Sequence, residues 1–441
     1  MKTTDLAAYE QRRDLLVREL AESSRNGKSV RLEKSTSNLF RHRSATAGKG
    51  INVRDFSHVL SVDAEARTAN VEGMATYEEI VDETLRFNLL PAVVPQLKTI
   101  TIGGAVSGLG IESSSFKYGL VHETVNEIEV LLSDGASVLC SPEQNQDLFY
   151  GFPNSYGTFG YALRVKLKLI PAKRFVKLTH RRFTDIGELF AQLNALCSEA
   201  SFDYLDGVVF GSKESYLVTG EFTDAAPFTS DYTYTRVFYQ SIQQRELDYL
   251  TAKHYIWRWD TDWFWCSKHF YVQHPLVRLL ATRRLLNSKT YQRIMRLAHN
   301  LLPQSNSESV IQDVDIPIEH APEFLGFLLS EIGILPIWLC PFRSYDPGVS
   351  YPLCGLDPHK LYVNFGFWDV LPAVDGDGFY NRKIEGKAIE LEGKKGLYST
   401  AYYDEETFWT LYDQATYDTL KRKYDPDGRL RNLYEKTVMK M

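Results

Sequence analysis

Cysteine is scarce in this 441-residue chain: Cys140, Cys197, Cys266, Cys340 and Cys354 stand alone, odd in number and without metal-ligand spacing. A disulfide framework and a cysteine-based metal site are therefore not expected, and the five read as reduced thiols of a cytoplasmic protein. No run of about 18 apolar residues occurs, so no helix is expected to span a bilayer. The first 25 residues are interrupted by Lys2, Asp5, Glu10, Arg12, Arg13, Asp14, Arg18 and Glu19, unlike the apolar stretch of a signal peptide. The formal net charge is -6, which gives no basic field over the molecule, and nucleic acid is not an expected partner. Internal repeats and low-complexity segments are also absent.

Aromatic residues are plentiful: 26 Tyr, 24 Phe and 7 Trp, crowded into the second half. They suit the walls of a site for a flat or greasy ligand, and equally a large core. The length exceeds what one hydrophobic core usually supports, so two domains are expected. Apolar residues at helical spacing (Leu6, Tyr9, Leu15, Leu16, Leu20) predict a surface helix over 4–23, and Ile80, Val81 and Leu85 another over 76–88. Strands are expected at 29–32, 59–62, 69–71, 163–169, 208–210, 215–219 and 361–365, with a hairpin joining 125–132 to 137–140 through Asp134-Gly135. Helices are expected again at 405–412 and 417–424, before a break at Asp425-Pro426-Asp427-Gly428. The pattern is α+β.

The most unusual stretch is Thr101 to Ser115, which packs four glycines and five hydroxyl side chains into fifteen positions. Glycine lets a backbone approach a pyrophosphate closely and turn successive N–H groups toward one spot, and Ser107 and Ser113 to Ser115 add donors. No G-x-G-x-x-G opens a helix here, so this is not the doubly wound dinucleotide fingerprint. A tight structural loop is the other reading of the run. A second glycine site follows at Gly157-Thr158-Phe159-Gly160.

Gly103-Gly104, Gly108-Leu109-Gly110-Ile111-Glu112-Ser113-Ser114-Ser115 and Tyr118-Gly119-Leu120 resemble the flavin-binding segment of the delta-24 sterol reductase family, within the vanillyl-alcohol-oxidase type of FAD-binding fold. The likeness continues through Asp147-Leu148-Phe149-Tyr150, Ile170-Pro171-Ala172, His254-Tyr255, Val310-Ile311-Gln312-Asp313, Pro336-Ile337-Trp338-Leu339-Cys340-Pro341-Phe342 and Glu405-Glu406-Thr407-Phe408-Trp409. It implies a two-subdomain FAD-binding domain of the PCMH type over 1–175, an α+β substrate (cap) domain over 176–380, and a C-terminal segment over 381–441 that returns to the flavin site. Non-covalent FAD is implied, held by Thr101, Ile102, Gly103, Gly104, Ser107, Gly108, Gly110, Ile111, Glu112, Ser113, Ser114, Tyr118, Gly119, Gly157, Thr158 and Gly160. The loop containing Ser35, Ser37 and Asn38 departs from the family, which has more glycine and proline there.

The implied reaction is hydride transfer from reduced flavin to a carbon–carbon double bond of a sterol or isoprenoid-like lipid, with NADPH or NADH as reductant. An oxidase or dehydrogenase on an alcohol or saturated lipid, and a lipid-binding protein with a degenerate flavin site, are the alternatives. An isolated alkene offers no oxygen to polarise, so the protein must supply an acid and close placement. Tyr398 matches a tyrosine of the family and reads either as that acid or as a core residue. His254 and Tyr255 read as proton carriers or packing residues. Glu112 is either a catalytic acid or a bracket for the loop. Trp338, Phe342 and Trp257 are the expected substrate wall, with an ordinary core strand as the other reading of Trp338.

Four Trp fall within residues 257–265, and the following segment 276–302 spaces Leu, Ile and Met helically among Arg278, Arg283, Arg284, Lys289, Arg293 and Arg296. Such a segment either lies on a lipid surface, giving peripheral contact at the inner face of a membrane, or packs as a solvated helix on its domain.

Overall fold

The computed structural model describes residues 6–24, 30–34, 40, 49–270, 272–291, 307–374 and 376–439. Helix Leu6–Ser24 buries Tyr9, Leu16 and Leu20 but leaves Leu6 and Leu15 exposed. At about 100° of rotation per residue, Leu15 and Leu16 cannot share one face, and Leu16 takes the inner place. Thr76 and Glu79 close a reciprocal cap at the start of helix Tyr77–Thr84, and the chain leaves it through Asn88 in a left-handed conformation. The expected Asp134-Gly135 reversal joins Val125–Leu131 to Ser137–Cys140, with Gly135 at a φ of 96°. A Cβ on Gly135 would stand 3.0 Å from the backbone of Ala21, so the turn also seats the first helix.

Two antiparallel sheets carry the fold. The first runs Val59–Asp63, Thr68–Glu72, Tyr161–Pro171, Val125–Leu131, Ser137–Cys140 in space, with Leu89–Pro91 on the far end of Tyr161–Pro171. A short parallel pair, Val30–Glu33 with Lys49–Asn52, stands apart from it. The second sheet has eight strands in the order Leu247–Thr251, Phe175–Phe183, Glu214–Thr223, Tyr204–Gly211, Ile337–Phe342, Tyr362–Pro372, Ser307–Pro317, Lys394–Lys395. Because that sheet opens at Phe175 and ends at Lys395, helix Phe379–Glu390 and Lys394–Lys395 stand with it and not with the segment that follows. The FAD-type first unit plus a second α+β unit is the architecture the resemblance implies.

Period-two alternation sorts the second sheet into two faces. Val310, Val314 and Ile316 turn to one side, where helices Ile186–Glu199, Ala321–Phe327 and Phe379–Glu390 cover them in one apolar cluster. The other side carries Asp313 and Asp315, and strand register aligns Asp313 with Gly366, Trp338 and Val208 in one row. Helices Glu405–Leu411, Gln414–Tyr424 and Leu433–Thr437 then return to the first unit. Lys421 donates to the Thr158 carbonyl at 2.8 Å, Lys436 to that of Tyr156 at 2.6 Å, and the Tyr424 hydroxyl to Asp147 at 2.8 Å. All five cysteines are free thiols. Among the described residues no helix is long and apolar enough to cross a membrane.

Candidate active site

The glycine-rich run is tied to the second sheet by a buried ion cluster. Glu112 is 1% exposed, and its Oε1 accepts from Arg258 Nη2 at 2.7 Å and from the Ser113 amide at 3.0 Å. The same Nη2 donates to Asp206 Oδ2 at 2.8 Å, an oxygen that also accepts the Trp338 indole N–H at 3.2 Å. Ser113 Oγ and the Tyr255 hydroxyl lie 2.9 Å apart, and the guanidinium sits 4.2 Å over the Tyr255 ring. Burial works against the charge on Arg258, but Glu112, Tyr255 and Asp206 outweigh it and hold the guanidinium protonated. Burial pushes the Glu112 carboxyl up, with Arg258 pulling the other way. Glu112 Oε2 is buried and has no hydrogen-bond partner among the described residues.

Most backbone donors of the glycine run are spent within the protein. Thr101 caps helix Ile102–Ser107, accepting from the Gly104 amide at 3.3 Å. The amides of Ile102 and Gly103 donate to the carbonyls of Ala75 and Gly73, that of Gly110 to Ala105, and those of Ser113 and Glu112 to Glu112 Oε1 and Ser115 Oγ. A converging wrap of successive amides from Thr101 to Ser115 is thus not what forms; pairing with the strand end at Gly73 takes precedence. Gly103 is needed for packing, because a Cβ there would meet the Gly73 carbonyl oxygen at 2.8 Å. Gly104 differs: it is exposed, and a Cβ there would meet only Thr101 Oγ1, at 3.0 Å. The half-buried Ser107 and Gly108 extend this open face, and Tyr156 reaches the Gly108 carbonyl at 3.4 Å from the turn that holds Gly157 at φ +74°. At Gly104, Ser107 and Gly108 a backbone ledge without large side chains thus faces outward, with room for a group to approach.

The remaining predicted cofactor residues divide. Gly160 crowds the Leu131 carbonyl, Gly119 turns at φ +71° beside Glu123, and Ser114 donates to the Ala92 carbonyl at 2.7 Å. Ile111 and Thr158 are buried, and Tyr118 is half-buried. Ser35, Ser37 and Asn38 lie outside the described residues.

A second group surrounds Tyr398. The Phe40 amide donates to the Tyr398 carbonyl at 2.9 Å, and the rings of Phe40, Trp368 and Trp263 stand within 6.2 Å of one another. Trp368 donates its indole N–H to the Tyr398 oxygen at 3.2 Å, and the Asp313 carboxyl stands beside the same phenol. Gly366, opposite Asp313, leaves the room: a Cβ there would come within 2.8 Å of Asp313 Oδ1. Burial pushes the Asp313 carboxyl up to about 7, with the Tyr398 bond pulling it down. Burial does the same to Asp315, also to about 7, against a 2.7 Å hydrogen bond from Asn364.

The structure therefore separates the expected catalytic residues. Tyr398 joins Asp313, while Glu112 and Tyr255 belong to the Arg258 cluster with Trp338. His254 sits on the short helix Ala252–Ile256, its amide taken by the Thr251 cap, and has no side-chain hydrogen bond to the other candidates among the described residues. Trp257 lies under Lys98, and Phe342 stacks on Tyr362 at 5.5 Å, away from Trp338's partners. Asp313, Asp206 and Arg258 went unread as site residues. The signal for the first was available: acids at 313 and 315 alternate with Val314 and Ile316 in a strand, which puts both on the face away from the apolar one.

Comparisons with known proteins bear on the fold and the class of protein. Residues 8–141 match the family described as "FAD binding domain". The chain is 27% identical to the Delta(24)-sterol reductase of Homo sapiens over 88% of its length and 76% of that protein's, and 26% identical to that of Pisum sativum with the same coverage. It is 24% identical to cytokinin dehydrogenase 4 of Oryza sativa subsp. japonica, over 82% of this chain and 73% of the relative. These matches, with the α+β architecture, make the chain an FAD-dependent oxidoreductase with a PCMH-type flavin domain. Within that class the chain is similar to Delta(24)-sterol reductases over most of its length.

Arg258→Ala strands two carboxylates in a dry site and should lower stability by about 3–5 kcal/mol, read from the denaturant midpoint. A loss below about 1 kcal/mol would mean that water reaches the cluster. Gly104→Leu should keep the apoprotein's thermal midpoint yet abolish bound flavin absorbance. Gly103→Ala should instead lower the midpoint, and the two variants behaving alike would contradict the division of labour between these glycines.

Proposed function

We propose that the protein reduces a carbon–carbon double bond in a sterol-like or isoprenoid-like lipid, with NADPH or NADH as the reductant of its FAD. The observation that carries this reading is the pairing of Tyr398 with Asp313 inside an aromatic surround, in a chain similar along most of its length to Delta(24)-sterol reductases. Phe40, Trp263 and Trp368 pack as an apolar surround that would keep water from an apolar substrate at Tyr398. The ledge at Gly104, Ser107 and Gly108, with Tyr156 beside it, would hold the nucleotide.

A flavin held at the Gly104, Ser107 and Gly108 ledge would, when reduced, supply the hydride for one alkene carbon. Tyr398 delivers a proton to the other carbon, and Asp313 in its protonated form returns a proton to the phenolate oxygen. The product then carries one hydride and one proton more than the alkene. Trp368 fixes the phenol by its hydrogen bond and supports the developing negative charge on oxygen. The weakened acidity of Asp313 matters because a carboxyl pushed up to about 7 still holds a proton at neutral pH. Burial also pushes Asp315 and Cys340 up, and the neighbouring Asp313 adds to the rise at both.

Direction is separated by assay: alkene-dependent NADPH consumption supports reduction, whereas flavin reduction by a saturated lipid would favour the dehydrogenase direction of the cytokinin dehydrogenase relative. In single turnovers of dithionite-reduced enzyme with alkene, the rate should fall as pH rises through about 7, where Asp313 loses its proton. Asp313→Asn should remove that limb, and Tyr398→Phe should slow reduction about a hundredfold with the flavin spectrum intact. An unchanged pH limb in Asp313→Asn would remove the carboxyl from the proton path.

A further inference from the structure

Helix Pro275–Leu285 has its sides reversed. Arg278 is fully buried: Nη1 pairs with Asp262, Nε donates to the Tyr234 carbonyl, and Nη2 donates to that of Arg236 at 3.1 Å. On the outer side Leu276, Leu279 and Leu280 are 65%, 57% and 81% exposed. Spacings of three and four place these leucines on one stripe, and Arg278 lies across the axis from it. A helix packed against its own domain in water shows the opposite arrangement. The exposure is not that of a loose end. Beyond the helix, Ser288 donates to Asp260 at 2.6 Å, Lys289 pairs with Glu78 of the first unit at 2.7 Å, and Tyr291 stacks on Trp263.

Charge points to the occupant. Between Asp262 and Glu308 there is no Asp or Glu, while seven Lys and Arg occur, in a chain whose net charge is -6. Three of the seven are paired within the molecule: Lys268 with Asp369, Arg278 with Asp262, and Lys289 with Glu78. Arg283, Arg284, Arg293 and Arg296 are the other four by sequence, and no acid lies between them and the leucines. Leucines on one stripe beside unbalanced arginines match an acyl boundary under anionic headgroups.

We propose that helix Pro275–Leu285 docks on an anionic lipid surface, with Leu276, Leu279 and Leu280 entering the acyl boundary. Asp262, which anchors Arg278, is followed directly by Trp263 and Phe264, and both rings pack on Trp368 beside Tyr398. A lipid leaving the bilayer at this helix is therefore two side chains from the aromatic walls, a consequence that rests on the reductase reading, whereas the docking itself does not.

The test uses the FAD-loaded full chain with vesicles of phosphatidylcholine and phosphatidylglycerol in a three-to-one mixture. Wild type should sediment with them and lose this binding in high salt. Leu279→Ser with Leu280→Ser should bind about tenfold more weakly while its flavin spectrum and its turnover of a detergent-dissolved alkene are unchanged. Equal sedimentation of variant and wild type would overturn the proposal. So would a wild type that ignores vesicles but changes from dimer to monomer on making the two substitutions, because a second copy would then be the occupant. Alkene turnover is read separately, so failure of the reductase reading leaves the vesicle result interpretable.

Discussion

One guanidinium holds the two halves of the molecule in register. Arg258 meets Glu112 from the glycine-rich run and Asp206 from the second sheet through a single nitrogen, with both carboxylates almost fully buried. Two buried carboxylates without that cation would repel in a medium that screens poorly, so the loop and the sheet come together only with Arg258 between them. The position of the flavin ledge relative to the sheet follows from this. So does the position of Trp338, whose indole shares the Asp206 oxygen.

The face of the sheet turned toward the flavin unit does two kinds of work. At one row Gly366 removes a side chain so that the Asp313 carboxyl can occupy the space, beside Tyr398. Two strands away Asp206 is satisfied by Arg258 and Trp338. The same residue type thus meets opposite surroundings: Asp206 faces a cation, whereas burial pushes the Asp313 and Asp315 carboxyls up to about 7. A carboxylate tied to a cation fixes the architecture, and one that keeps its proton is free to take part in chemistry.

Local patterns made much of the fold legible. The Asp134-Gly135 hairpin, the helix over 76–88 and the strand around 163–169 fall where spacing and turn chemistry put them, because each is decided by neighbours in sequence. Strand Ser307–Pro317 was missed since its buried face is interrupted by Gln312 and its other face carries acids, an alternation that resembles a polar loop until a partner strand is known. The flavin resemblance pointed to the right segment, but composition alone could not tell Gly103, which accommodates a backbone carbonyl, from Gly104, which leaves a surface open. Arg258 sits in a run of tryptophans and reads as an ordinary snorkelling side chain. Its carboxylate partners lie 52 and 146 positions away, beyond the reach of any local rule.

The helices between Glu405 and Thr437 supply lysines to the carbonyls of Tyr156 and Thr158 and an aspartate, Asp425, to Ser133. During synthesis the first sheet emerges hundreds of residues before these groups do, and its turn at 156–158 must wait with unmet carbonyls while the second unit is made. The seam between the first sheet and these helices is for that reason closed late. A fragment ending after the second sheet would present a finished second unit beside an unsealed nucleotide cleft, a state suited to chaperone retention and to proteolysis.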